Sequence, residues 1–288
     1  MIGSVLVCAA VLQVPSAAKK PSRVLLMTYN TFYNHSNLLA IEDVLPELGK
    51  AGGFTVTSVQ GYEQTVSCTT QKPCGPDVVD LSIVTRAYLK QFDAIVASTN
   101  GELPFSDEAK QALVDFVKKD GKGMLFLHQS YVTNYGWKEW GELLGAYMGN
   151  GQLFDGTNTA KRKAVMKVEN RKHPASRALP EHWTLDDEFY QYAKTTGVLG
   201  PTKLPVPFAF DRTKVNVLVS FDTERTDFTG APKEWSKDGD YPQVWSQKLG
   251  KGRTFYSAIG HREDLWRSDP VFRQFMTGAI RWVLGLEK

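Results

Sequence analysis

Two hydrophobic periods divide this chain. The segment Arg23-Val-Leu-Leu-Met-Thr28 is almost unbroken in its apolar run, as strands buried on both faces are. A polar loop, YNTFYNHS, follows it. Apolar residues then recur at helical spacing from Leu38 to Leu48, with Gly49 and Gly52–Gly53 read as the stop. Phe54 to Val59 reads as a second strand, Asp93 to Ser98 as a third and Met124 to His128 as a fourth. Between the last two, Ser106 is suited to cap a helix, with Asp107 and Glu108 in its first turn. That helix presents Ala109, Ala112, Leu113, Phe116 and Val117 on one face. Strand–helix–strand alternation with short connections predicts a parallel sheet covered by helices.

The second half is less regular. Lys163 to Val168 and Val215 to Phe221 read as strands, Trp183 to Tyr192 as a helical or irregular piece, and Pro201 to Pro207 as a turn. Val244 to Leu249 and Arg253 to Ile259 are joined at Gly250-Lys251-Gly252, a hairpin pattern. Phe272, Phe275, Met276, Ala279, Ile280 and Val283 mark a final core-facing helix. No low-complexity linker or internal repeat interrupts the chain. The pattern is therefore one α/β domain over 22–286, a mostly parallel sheet flanked by helices with antiparallel additions in the second half.

Composition narrows this further. The 288 residues are 42% hydrophobic and 23% charged, which excludes a disordered or coiled-coil chain. With 34 basic and 31 acidic side chains the net charge is +3. No basic stripe interleaved with aromatics is present, so nucleic acid is not an expected partner. The apolar run from Ile2 to Val14 is too short to span a bilayer of ~30 Å. Small residues follow it up to Ala18, and 1–18 reads as a signal peptide cleaved near Ala17 or Ala18, hence a periplasmic or secreted protein. A buried first strand or an unstructured tail is the alternative. Three cysteines cannot supply a zinc ribbon. After cleavage Cys68 and Cys74 remain, flanking CTTQKPC, and in an exported chain they read as a loop-closing disulfide, otherwise as two thiols.

Ligands of open parallel sheets bind beyond the carboxyl ends of the strands. The first strand runs out into Asn30 and then His35, the third into Asn100, the fourth into His128, and the late strand into Gly260-His261. Three of the five histidines thus follow strands of one predicted sheet. Each has a plainer reading: His35 as a helix cap, His128 as a hydrogen-bonded core residue, His261 paired with Glu263 or Asp264. His173 and His182 read as structural or solvent-facing. Asp187 and Glu188, within DDEFY, fit a pocket rim or a helix start. Trp245, with Trp235, Trp266 and Tyr241, fits the core or a ring that stacks on a sugar. No GxSxG or HExxH occurs, and Gly121-Lys122-Gly123 precedes a strand, unlike a phosphate loop.

The ordered motifs FYNHSN, GKGMLFLHQS, HPASRALP with DDEFY, YPQVWSQKLGKGRTFYSAIGHREDLWRSDP and GAIRWVLG closely resemble the ThuA-like (trehalose utilisation) family from Arg23 to Gly285. The resemblance implies the flavodoxin-like fold of class I glutamine amidotransferases and a place in carbohydrate metabolism, often beside dehydrogenases that make 3-keto sugars. Those amidotransferases carry a cysteine nucleophile at a strand–helix elbow; His128 ends the comparable strand here, which argues against thioester chemistry. By motif, the pocket residues are His35, His128, Glu188 and His261, with Asp187 and Trp245 nearby. The chain departs from the family at Asn34, where arginine is usual, and around Gly149–Gly151, where a further histidine often stands.

Two functions are then expected. The first is a sugar-modifying lyase, isomerase or hydrolase acting on a sugar or keto-glycoside. His128 would serve as base or metal ligand, Glu188 as its acid or base partner, and His35 and His261 would complete the site. Asn30, Asn100, Asp187 and Trp245 would bind substrate. A divalent metal held by some of His35, His128, His261 and Glu188 would act as a Lewis acid. The second is a non-catalytic carbohydrate-binding or accessory protein. Either takes a small-molecule carbohydrate, needs no membrane span, and is compatible with a homo-oligomer.

Overall fold

The structure, a computed structural model, describes residues 20–33, 35–62, 81–155 and 163–288. The expected leader with its cleavage point, the Cys68/Cys74 pair and Asn34 lie outside the described residues. Strand β1 (Ser22–Asn30) leads through helix α1 (Asn37–Gly52) to β2 (Phe54–Tyr62). A short helix α2 (Arg86–Leu89) precedes β3 (Ala94–Ala97); α3 (Asp107–Lys118) connects that strand to β4 (Gly123–Leu127). There follow α4 (Lys138–Leu144), β5 (Met148–Asp155), β6 (Lys163–Val168), β7 (His182–Asp186), β8 (Glu188–Tyr192) and β9 (Asn216–Phe221). The chain closes with β10 (Pro242–Leu249), β11 (Gly252–Ser257), α5 (Glu263–Ser268) and α6 (Pro270–Val283).

Nine strands form one sheet in the order β2-β1-β3-β4-β11-β10-β9-β6-β7. The first five run parallel, and from the β11–β10 hairpin onward each pair is antiparallel. Alternate residues of a strand face opposite sides. Val24 and Leu26 accordingly join a core with α1 and α6, while Leu25 and Met27 join a second core with α3 and α4. Both faces being covered is why the β1 and β4 segments are apolar without alternation.

Local chemistry sets the helix ends. Ser106 accepts from the Ala109 N–H at 3.1 Å, and Asp269 accepts from Val271 and Phe272 N–H at 2.8 and 2.9 Å ahead of Pro270. Helix α1 runs further than its glycines suggest. Gly49 and Gly52 lie inside it, where an added Cβ would come within 2.5 Å of the Phe54 carbonyl oxygen or ring. They permit close packing on β2, and the left-handed stop is Gly53, at φ 78°. The segment from Trp183 to Tyr192 is neither helical nor irregular. Trp183 lies in β7 and Tyr192 ends β8, two strands of different sheets: β8 pairs with β5 in a two-stranded sheet, and β7 edges the large one.

His173 is buried, its ring against Trp282 (4.7 Å between centroids) and Phe255 (5.8 Å). Its Nδ1 accepts the Ala175 N–H at 3.2 Å. Burial first, then the charge of Arg253, lowers its pKa from 6.5 to about 4. As pH falls through that interval the unfolded chain binds a proton that the folded chain refuses, so stability is present above it and lost within it, by about 3 kcal/mol. His173→Asn keeps a side-chain acceptor without the titration. Chemical unfolding at pH 7 and pH 4.5 should show a smaller loss in the variant, and equal losses would refute this role.

Candidate functional site

Three strands and one loop bring their ends to a single point. His128 immediately follows β4, with the rare φ of +35° for a non-glycine residue, a strain that is held only where surroundings enforce it. They do so here: the Tyr256 hydroxyl donates to the His128 carbonyl at 2.9 Å. The pairing of Leu127 with Ser257 sets the next residue, Ala258, beside the imidazole. His128 Nδ1 lies 2.6 Å from the Ala258 carbonyl oxygen. A carbonyl only accepts, so this contact assigns the proton to Nδ1. When the ring is neutral, the lone pair of Nε2 points inward.

Other polar atoms crowd this nitrogen. Nε2 is 3.2 Å from Glu188 Oε2 and 3.1 Å from His261 Nδ1, and His261 Nδ1 is 2.9 Å from the same carboxylate oxygen. The His35 ring stands edge-on to both imidazoles, with centroids 5.2 and 5.5 Å away. One donor atom from each of His35, His128, Glu188 and His261 lies within 4.8 Å of the others. Donors on a tetrahedral zinc with bonds of ~2.0–2.1 Å are roughly 3.3 Å apart. Three imidazole nitrogens and one carboxylate oxygen gathered within 4.8 Å can contract onto a divalent cation when deprotonated. The Nδ1–H···O=C bond of His128 is also the outer contact that metal-bound histidines make.

The four groups also act on one another. Burial works against the Glu188 carboxylate, yet hydrogen bonds and charge from His128 and His261 outweigh it and hold its pKa well below the usual value. Burial, followed by the charges of His128 and His261, pushes His35 well below 6.5, toward the neutral, ligating form. Glu188 and His261 keep 13% and 20% of their side-chain surface exposed, against 1% for His128. The cluster is thus reached from solvent on their side.

Asp187 does not line the cluster as a ligand. It is fully buried and accepts from Gly260 N–H at 2.7 Å and Arg262 N–H at 3.2 Å, which clamps the turn that carries His261. Gly260 has φ of +127°, a conformation natural only to glycine. Its carbonyl takes further bonds from Asn37 Nδ2 at 2.7 Å and Trp266 Nε1 at 2.9 Å. Asn100 plays the same part for the other loop: its side chain bonds Phe32 and Tyr33 and presents Nδ2 to His35 Nδ1 at 3.3 Å. Asn30 bridges Asn100 through the backbone, and its buried amide has no hydrogen-bond partner among the described residues.

Trp245 is elsewhere. It is fully buried, packed on Tyr256 and Tyr192 at 4.5 and 4.8 Å, with its indole N–H on the Leu144 carbonyl at 2.8 Å. It is a core residue with no face free for a sugar, because β10 is covered on both sides at that point.

Tyr190 was not singled out by the sequence pattern. Its hydroxyl lies 2.6 Å from His128 Nε2 and 2.8 Å from Glu188 Oε2, and its ring packs on Tyr131 at 4.1 Å. Burial, then the Glu188 charge, holds the phenol protonated well above pH 10. Period-two spacing within DDEFY is the signal that would have found it, since residues 188 and 190 of a strand share a face.

A family model described as ThuA, trehalose utilisation, matches residues 23–283. Comparison with curated proteins finds no match. Among solved structures, a thua-like protein from Bacteroides uniformis is similar at TM-score 0.61 and 20% identity, over 94% of this chain and 95% of that one. A thua-like protein from Parabacteroides merdae gives 0.59 and 18%, over 92% and 91%. A cytoplasmic protein from Salmonella typhimurium gives 0.53 and 10%, over 91% and 98%. At these identities the likeness is one of fold.

Proposed function

The chain belongs to the ThuA (trehalose utilisation) family, and from that premise we propose that it is a metal-assisted acid–base enzyme acting on a small carbohydrate, a sugar or keto-glycoside. The observation that carries the reading is the convergence of three imidazoles and one carboxylate within 4.8 Å. His35, His128, His261 and Glu188 would hold a divalent ion, which when bound supplies Lewis-acid polarisation of a carbonyl or hydroxyl oxygen. Tyr190 is the protonated group beside that position, 2.8 Å from Glu188, placed to donate a hydrogen bond to a substrate oxygen that gains charge. Asp187 and Asn100 hold the His261 and His35 loops and need not touch substrate. His128 occupies the elbow after β4, where thioester chemistry would need a cysteine. That placement is the support for reading no thioester chemistry here.

The test is turnover of a panel of glycosides and their 3-keto forms by zinc-loaded and chelator-stripped protein. The expected result is product from at least one sugar, lost on stripping and restored by zinc. Sugar binding with no product under either condition would replace the enzyme by a carbohydrate-binding protein.

A further inference from the structure

Large apolar side chains are exposed at few places among the described residues, and the aromatic ones are consecutive: Phe32, 48% exposed, and Tyr33, 49% exposed. The others, Ile83, Val198, Leu199 and Leu204, are aliphatic and lie elsewhere in the chain. Both rings stand on the β1–α1 loop that carries His35. The Tyr33 ring meets the His35 ring edge-on, with centroids 4.9 Å apart.

The loop backbone beneath the rings is not loose. The fully buried Asn100 accepts from Phe32 N–H at 3.2 Å and Tyr33 N–H at 3.0 Å, and donates to the Tyr33 carbonyl at 2.5 Å. The Thr31 N–H adds a bond to the Asn100 carbonyl at 3.0 Å. A folded chain gains little from fixing two half-exposed rings beside a polar cluster. Ligand sites, by contrast, combine a rigid apolar surface with a few placed polar groups. Among ligand classes a pyranose matches this pairing: one face of the ring is C–H and the rim is hydroxyl.

We propose that Tyr33, extended by Phe32, is the platform on which a pyranose ring of the substrate stacks, presenting its hydroxyl rim to the His35–His128–Glu188–His261 cluster. This rests on the reading of the site as a carbohydrate site and adds the residues that seat the sugar. The Tyr33 ring lies against His35 at the cluster's edge, which sets the stacked sugar beside the cluster without entering the core.

The experiment uses the full chain loaded with zinc, with α,α-trehalose and methyl α-glucopyranoside as probes in saturation-transfer NMR and in affinity titrations. Saturation should fall on the ring C–H protons. Tyr33→Ala should weaken binding by roughly tenfold, equivalent to about 1.4 kcal/mol. Tyr33→Phe should stay within about twofold, because the ring and not the hydroxyl carries the contact. Unchanged affinity in Tyr33→Ala, or no binding of either probe, overturns the platform. A parallel zinc titration separates the causes: if Tyr33→Ala loses zinc along with sugar, the ring only props His35 and the platform falls. If sugar stacks on a protein that binds no zinc, the platform stands and the metal-assisted reading fails. Self-association that disappears in Tyr33→Ala, with sugar affinity unchanged, assigns the rings to a contact between copies and overturns the proposal.

Discussion

His128→Ala is expected to abolish tight zinc binding and with it turnover. The imidazole supplies the most enclosed of the four donors, and its Nε2 is the atom that Glu188, His261 and Tyr190 all approach within 3.2 Å. Loss of an outer-shell partner typically costs roughly 10–100-fold in metal affinity, so loss of a donor itself should exceed about a hundredfold. Alanine also leaves the Ala258 carbonyl without its donor, so a folding defect must be separated from a binding defect. His128→Asn serves for that purpose. Asparagine tolerates positive φ better than most residues, which preserves the backbone at φ +35°, while its short amide cannot reach the ligand position. Calorimetric zinc titration with circular dichroism on both variants decides the matter. A folded His128→Asn protein with wild-type zinc affinity would remove His128 from the site.

Trp245→Ala is expected to act on stability alone. A fully buried tryptophan replaced by alanine costs about 3–5 kcal/mol, which for a chain of this size lowers the thermal midpoint by roughly 10 °C. The Leu144 carbonyl would lose its indole donor as well. Trp245→Phe keeps most of the packing against Tyr256 and Tyr192 and should recover most of the midpoint. Folded Trp245→Ala should bind zinc and sugar as the parent does. Weakened sugar binding with an unchanged midpoint would put the ring at the substrate instead of in the core.

The contrast between these residues shows what the sequence makes legible. Buried parallel strands are unbroken apolar runs, so β1, β3 and β4 and the polar residues at their ends stand out, and with them His35, His128 and His261. Capping chemistry at Ser106 and the apolar spacing of α6 are equally plain. Trp245 was ambiguous because a tryptophan carries the same apolar body in a core as on a sugar-binding surface, and only the covering of β10 on both sides decides between them. The Asp186–Tyr190 segment was obscured by its acids, which resemble a helix start. Its true form depends on Asp187, a residue between two strands whose carboxylate is satisfied by Gly260 and Arg262, more than seventy positions away. Tyr190 shares a face with Glu188 only because that segment is extended. Gly49 and Gly52 were similarly misleading. Their role is a close approach to Phe54, which no local pattern records.

The most direct measurement is an anomalous difference map at the zinc edge from crystals of the full chain grown with zinc. One strong peak is expected, bonded at roughly 2.0–2.3 Å to His35, His128, Glu188 and His261. A map in which those four side chains keep their positions with no peak between them, while zinc sits elsewhere or nowhere, would contradict the account.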